Sequence, residues 1–407
     1  MREGACKLAC DTIKTMKDQA KTLGAYIQVP FCQTKCTYCN FHTGVVSKER
    51  YAPYAAAVCR EIAETARAAG VRGERAGAID TIYFGGGTPS LLEASALENI
   101  LDALQRDFGL APVLAGEPEI TLEADPETIT PEKARAWIAA GFNRVSLGVQ
   151  SFSDPELKAS GRMHRRADIF TAAGLLRGAG FQNISMDLIA GLAHQTKESW
   201  EESLAQLIEI RPEHVSIYML EIDEGSHLGK ESLAGGSRYG AGAIPSDDTI
   251  ADSYERAREQ LRSAGYEHYE ISNWGLPGLR SRHNLKYWRR EPYIGFGAGA
   301  HSFDGVKRWA NAHDSARYVT CIEQGISPRE QEQVVTPGEA LEEELFLGLR
   351  QLDGVDLARI ESAYDVDLTD RIASLREQGL VEMNGRQLRL APAHLTVSNS
   401  VLVELLG

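Results

Sequence analysis

The feature that most constrains this chain is the passage from Tyr26-Ile-Gln-Val-Pro-Phe into Cys32-Gln-Thr-Lys-Cys36-Thr-Tyr38-Cys39, where a β-branched and aromatic run delivers three cysteines spaced C-x3-C-x2-C. A strand that ends in a tight loop can turn three thiolates toward one centre, and thiolates prefer soft metals and iron–sulfur clusters. A structural zinc site closes with four ligands. No fourth Cys or His stands at finger-like spacing, although His42 is near, so a zinc knuckle stays as the alternative. Three ligands on a four-iron cluster leave one iron open.

At 407 residues the chain exceeds one minimal domain and suffices for a barrel-sized core with an appendage. A hydrophobic content of 43% and a charged content of 25% are those of an ordinary globular protein. The net charge of −14, with no dense Lys/Arg patch, speaks against a nucleic-acid partner. No apolar run reaches bilayer length and the N-terminus lacks a secretory pattern, so we expect a cytoplasmic protein without a membrane anchor. Transient contact with membrane-bound partners stays open. Seven cysteines, three of them in one motif, disfavour a disulfide framework. Cys59 and Cys321 read as small core residues, and Cys6 and Cys10 in the tail as incidental.

Residues 1–22 form a polar N-terminal tail. Beyond them strand-like runs at Leu23–Val29, Asp80–Phe84, Glu119–Glu123, Arg144–Val149, Asn183–Ile189 and His214–Met219 alternate with amphipathic stretches at Lys48–Ala69, Glu93–Phe108, Pro131–Ala140, Ile169–Gly180 and Lys197–Ile210. Such alternation implies an α/β fold with a parallel sheet, and six units imply an open (βα)6 partial TIM-like barrel over residues 23–245. The Gly/Ser/Ala-rich stretch Ala234–Ser246 reads as a loop. A post-barrel segment follows at 246–330, beginning with a helix over Thr249–Ala264. Residues 331–407 read as helices at Glu339–Gln351, Leu357–Tyr364 and Leu368–Gln378, a hairpin at Asn384-Gly385 and a final helix, which together predict a helical, winged-helix-like C-terminal domain.

Ligands of an open α/β barrel bind at the C-terminal ends of its strands. There the sequence places Gly85-Gly86-Gly87-Thr88, where glycines admit a ligand that a Cβ would block, and Glu123, Gln150, Arg162 and Asp187. Carboxylates can accept from ribose hydroxyls and Arg can fork a carboxylate.

With the cysteine motif, these stretches resemble the oxygen-independent coproporphyrinogen oxidase branch of the radical S-adenosylmethionine (SAM) enzymes, over Tyr26–Phe41, Tyr83–Leu92, Leu122–Thr128, Ser146–Arg165 and Asp187–Leu192. The resemblance implies that Cys32, Cys36 and Cys39 ligate a [4Fe-4S] cluster whose open iron takes the amino and carboxylate groups of SAM. An electron then cleaves the sulfonium to a 5′-deoxyadenosyl radical. It further implies that Tyr26, Tyr38, Gly86, Gly87, Thr88, Glu123, Gln150, Arg162 and Asp187 contact SAM or pack beside the cluster.

Decarboxylating members of that branch carry a fourth cysteine two residues after the third, where this chain has Phe41. A second stretch, His283-Asn284-Leu-Lys-Tyr287-Trp288, offers an imidazole for haem iron and flat apolar faces for a porphyrin. Arg282, Arg289 and Arg290 could pair with propionates. H-N-x-x-Y-W, with Tyr269–Asn273 before it and Gly295–His301 after it, resembles the signature of HemW-type haem chaperones. The resemblance implies haem as a ligand, acceptor haemoproteins as partners and an electron donor if SAM is cleaved, and it leaves dimerisation open. His283 is the favoured haem contact, with His301 second and His164 and His227 behind. The rival readings are a coproporphyrinogen III oxidase and, further off, a radical SAM methyltransferase.

Overall fold

The computed structural model describes residues 22–68, 79–111 and 117–406. The tail up to residue 21, including Cys6 and Cys10, lies outside them, as does Ala69 at the end of the first expected helix. Six parallel strands follow one another across the sheet: β1 (Leu23–Val29), β2 (Ile79–Gly86), β3 (Glu119–Ala124), β4 (Arg144–Gln150), β5 (Ile184–Ala190) and β6 (His214–Met219). They are joined by α1 (Tyr51–Ala68), α2 (Ala94–Phe108), α3 (Pro131–Ala139), the short α4 (Asp154–Ala159), α5 (Arg166–Ala179) and α6 (Lys197–Ile210). The mixed α/β class and the succession of β-α units agree with the sequence reading.

Alternation along the strands divides the sheet into two chemically distinct faces. Ala25, Ile27, Val29, Ile82, Phe84, Leu122, Val145, Leu147, Met186, Val215 and Ile217 enter one buried apolar cluster with the helices. The intervening residues, Tyr26, Gln28, Tyr83, Glu123, Ser146, Asp187 and Ser216, are polar and turn to the other side. That side is where a polar ligand finds partners.

The structure adds strands at both edges. After α7 (His227–Leu233), short 3-10 turns over Arg238–Ala243 and α8 (Asp247–Ser263), the chain forms β7 (Glu267–Glu270) and β8 (Asn273–Gly275), with β8 antiparallel to β6. It then crosses through α9 (Arg282–Trp288) to β9 (Tyr293–Phe296), which lies parallel to β1. Strands β10 (His301–Phe303), β11 (Lys307–Asn311) and, after α10 (Ser315–Glu323), β12 (Arg329–Val334) continue that edge. The result is a 12-stranded sheet in the order β12-β11-β10-β9-β1-β2-β3-β4-β5-β6-β8-β7. Residues 246–330, read from the sequence as a segment after the barrel, therefore supply strands to both of its edges.

The C-terminal part comprises α11 (Pro337–Gly348), β13 (Val355–Asp356), α12 (Leu357–Tyr364), α13 (Thr369–Glu377), the hairpin β14 (Val381–Asn384) and β15 (Gln387–Leu390), and α14 (Ser398–Leu406). It packs around its own core of Leu345, Leu349, Ile360, Leu388 and Leu402. Backbone bonds from Ile271 to the Arg350 carbonyl (3.0 Å) and from Leu352 to the Tyr269 carbonyl (3.1 Å) fasten it to the sheet.

Candidate functional site

The loop that carries the three cysteines leaves β1 at the C-terminal end of the sheet and is fixed from three directions. Cys32 donates to the Gly44 carbonyl at 3.1 Å and Gly44 to the Pro30 carbonyl at 2.9 Å, which closes the loop on itself. The β2 turn holds it from beside, with Gly87 N–H on the Val29 carbonyl (2.8 Å) and Thr88 N–H on the Phe31 carbonyl (2.7 Å). From the far side Thr37 N–H donates to the Ser160 carbonyl at 3.1 Å, and Leu228 N–H at the start of α7 to the Thr37 carbonyl at 2.8 Å. Cys32, Cys36 and Cys39 are free thiols, each half-buried. Burial pushes Cys32 and Cys39 up, with the other thiols and Asp125 adding negative charge.

A positive group stands against that charge. Arg162 reaches the Cys36 sulfur with Nη1 at 3.5 Å, and its Nη2 pairs with Asp125 and donates to the Gly148 carbonyl at 2.7 Å. Asp125 also accepts from Thr88 Oγ1 at 3.0 Å. Gln150, at the end of β4, adopts a φ of 66°, a left-handed conformation that a non-glycine residue holds only where its surroundings require it. A Cβ on Gly148 would stand 2.9 Å from the Gln150 amide, 3.0 Å from Arg162 and 3.2 Å from Asp125, so these three side chains converge over a glycine. Tyr38 packs beside them, its phenol pushed up by burial and the nearby Cys36.

Below the loop, the polar face of the sheet carries separate hydrogen-bonded groups. Tyr83 donates to Glu123 Oε1 at 2.8 Å and Gly86 N–H to Oε2 at 3.1 Å; Tyr26 donates to Gln28 at 2.9 Å. Burial raises Glu123 to about 7, with Asp187 and Asp125 adding to the shift, and raises Asp187 to about 6 against bonds from Ser216 and Ser146. Carboxyls raised in this way can donate as well as accept near neutral pH.

The donor set and cradle fit the cofactors that the sequence implies. Three thiols share one loop, Arg162 offsets their charge while its buried Nε lacks a partner, and a Cβ on Gly87 would meet the Phe31 carbonyl at 2.4 Å and Cys32 Sγ at 3.0 Å. The structure thus brings Tyr38, Gly86, Gly87, Thr88, Glu123, Gln150 and Arg162 to the same end of the sheet as the cysteines, with Tyr26 and Asp187 at mid-strand on the same polar face and Tyr26 stacked on His283 at 6.4 Å. Sequence reading did not single out Gln28, which shares the polar face of β1 with Tyr26, nor the pairing of Asp125 with Arg162.

The H-N-x-x-Y-W stretch lies elsewhere. It forms α9, which closes the N-terminal end of the sheet. His283 is 1% exposed, stacks on Tyr83 at 5.2 Å and places Nδ1 2.9 Å from Thr81 Oγ1 and Nε2 2.8 Å from Tyr287 OH. Burial, with Lys286 and Arg144 beside it, lowers its imidazole to about 3. Sequence reading expects an imidazole open to haem iron, whereas here both ring nitrogens are engaged and the ring is covered. Asn284 donates its N–H to Ser281 Oγ, and the Trp288 carbonyl accepts from Gln351. Of the other histidines, His164 is buried against the Val149 carbonyl and His227 packs on Tyr239. His301 is exposed, with its ring centroid 6.5 Å from that of His313, whose ring lies tilted 4.2 Å from that of His42 of the cysteine loop.

Residues 26–207 match the Radical SAM superfamily and residues 335–393 the HemN C-terminal domain. The heme chaperone HemW of Synechocystis is 36% identical over 391 residues, which cover 93% of this chain and 90% of that protein. Heme chaperone HemW of Bacillus subtilis is 33% identical over 387 residues, covering 94% and 99%. The structure of coproporphyrinogen III oxidase (HemN) from Escherichia coli, described as a radical SAM enzyme, superposes with a TM-score of 0.81 over 97% of this chain and 92% of that one, at 21% identity. Among the described residues no helix is long and apolar enough to cross a membrane.

Proposed function

The chain belongs to the HemW family of haem chaperones within the radical SAM superfamily, and from that premise we propose that it binds a [4Fe-4S] cluster, SAM and haem and delivers haem to acceptor haemoproteins in the cytoplasm. The observation that carries the cofactor part is the cysteine loop itself, three free thiols set against Arg162 beside a glycine cradle. Cys32, Cys36 and Cys39 hold the cluster. The cluster, when bound, supplies an electron and an open iron for SAM. Gly86, Gly87 and Thr88 admit the methionyl end, Arg162 and Gln150 face its carboxylate, and Glu123 and Asp187 face the ribose, with Tyr26 and Tyr38 packed alongside.

The haem part rests on family membership and on the aromatic segment around α9. His283, held by Thr81 and Tyr287, positions that segment, while the half-buried Asn284 and Trp288 lie four positions apart on the adjoining face of the helix. Residues 23–245 act as the cofactor-binding barrel, 246–330 as the segment that carries the haem-facing residues and 331–407 as the domain that covers it.

The test uses cluster-reconstituted protein under anaerobic conditions. It should bind haem stoichiometrically, pass it to an apo-haemoprotein and leave coproporphyrinogen III unchanged with SAM and reductant. Formation of protoporphyrinogen would replace the chaperone reading with an oxidase.

A further inference from the structure

A cavity of about 260 Å³ opens between the β9–β11 edge of the sheet and α11 of the C-terminal domain. Its apolar walls are aromatic. Tyr287 and Tyr293 meet edge to face with centroids 4.6 Å apart, Phe303 lies 6.4 Å from Tyr293, and Phe346 faces them from α11. Into this space come two guanidiniums, Arg290 5.2 Å and Arg308 4.3 Å from the Phe303 ring centroid.

Both arginines depend on one carboxylate. Arg290 Nε lies 2.8 Å from Glu343 Oε2, while Arg308 grips the same group with Nε at 3.0 Å and Nη2 at 2.7 Å. The neighbouring charges are already taken. Glu344 on the same helix is bound by Arg359 and by Tyr364 OH, and Lys286 by Asp80 and Glu291. Two positive charges against one negative leave the cavity with an unmatched positive charge. Arg290 is largely covered and Arg308 is open to the cavity mouth at 33% exposure, and the planar fork of a guanidinium matches a carboxylate.

We propose that this cavity receives the carboxylate-bearing edge of a flat aromatic ligand, which, resting on the haem reading above, is the propionate edge of a porphyrin. Glu343 then stands in for a propionate until the ligand arrives. The volume agrees with an edge rather than a whole macrocycle, since pockets that enclose a drug-sized ligand run to roughly 300–1,000 Å³. Tyr287 links the site to the closed end of the barrel through its bond to His283.

The full chain is titrated with metal-free protoporphyrin IX and with its dimethyl ester, by fluorescence, in wild type, Arg308→Gln and Glu343→Gln. The diacid should bind at least about tenfold more tightly than the ester, and Arg308→Gln should weaken the diacid about tenfold while leaving the ester unchanged, the scale of one charge-assisted pair. Glu343→Gln should tighten the diacid, because the competing carboxylate is gone. A pair that merely fastens the domain predicts the opposite sign, so weaker diacid binding in Glu343→Gln overturns the proposal even if Arg308→Gln fails to fold. Equal binding of diacid and ester overturns it too, and leaves the haem reading standing if wild type still binds haem. Arg308-dependent binding of the diacid by protein that passes no haem to an acceptor upholds the cavity and overturns the chaperone reading.

Discussion

The two ends of the parallel sheet use similar side chains and finish differently. At the N-terminal end, Glu119 caps α9 by accepting from Arg282 N–H and His283 N–H, each at 3.0 Å, Thr81 and Tyr287 hold the His283 ring, and Lys286 lies 2.9 Å from Asp80. These groups are partnered within the protein, although the buried Arg144 beside His283 keeps Nε and Nη1 without a partner. At the C-terminal end, three thiols stand half-buried, Arg162 keeps an unpartnered Nε, and Phe41, Val45 and Met163 are exposed. Satisfied polar groups rigidify an end, and incompletely satisfied ones leave work for a ligand. What separates the two ends is access: the thiols are half-buried beside exposed side chains, as the cofactor site proposed above requires, whereas the His283 ring is covered by α9.

The comparison breaks most sharply at Gly87. A Cβ there would press on the Phe31 carbonyl and on Cys32 Sγ, so Gly87→Ala should displace the cysteine loop and lose most of the iron and sulfide that wild type retains after anaerobic reconstitution. Gly174→Ala, on α5 with open space around it, is the matched control and should keep wild-type iron content. At the closed end, His283→Ala should cost about 2–4 kcal/mol, because it strips Thr81 and Tyr287 of a partner and leaves a cavity. Urea unfolding measures the loss, and iron content should stay at the wild-type level. Stability within about 0.5 kcal/mol of wild type, the range of an unremarkable surface change, would show that α9 does not close the sheet.

Much of the open end was legible in sequence because its logic is local. Period-two alternation and the glycine run place β1, β2 and the cysteine loop within a residue or two, and Leu23–Val29 and His214–Met219 have the expected bounds. The closed end was not legible. The imidazole of His283 meets Thr81 across 202 positions, and no local pattern announces such a contact. The added edges escaped for another reason. Strands such as Asn273–Gly275 and His301–Phe303 are three residues long, too short to show a period. An aromatic, histidine-bearing stretch therefore reads as a ligand site whether its ring is open or covered, and only the fold decides.

The smallest expected effect sharpens the comparison from within the polar face. Glu123 has a folded-state value of about 7 against an ordinary 4.5, raised first by burial and then by Asp187. A carboxyl raised in this way favours the folded state below its unfolded value and withdraws that contribution as pH rises through the folded one. Stability of the cofactor-free protein should therefore fall between about pH 4.5 and 7 by up to about 2–3 kcal/mol from this group, on the scale of 1.36 kcal/mol per unit. Asp187, raised to about 6, acts in the same direction. Glu123→Gln removes the titration but also points an amide N–H₂ at one of its two donors, Tyr83 OH or Gly86 N–H, so the level of stability is a poor readout and the slope a good one. The variant should show a flatter decline from pH 5 to 8, with the residual slope belonging to Asp187. An unchanged slope would mean that Glu123 is ionised without penalty and already solvated, which would make that face an open channel instead of a partly dry cradle.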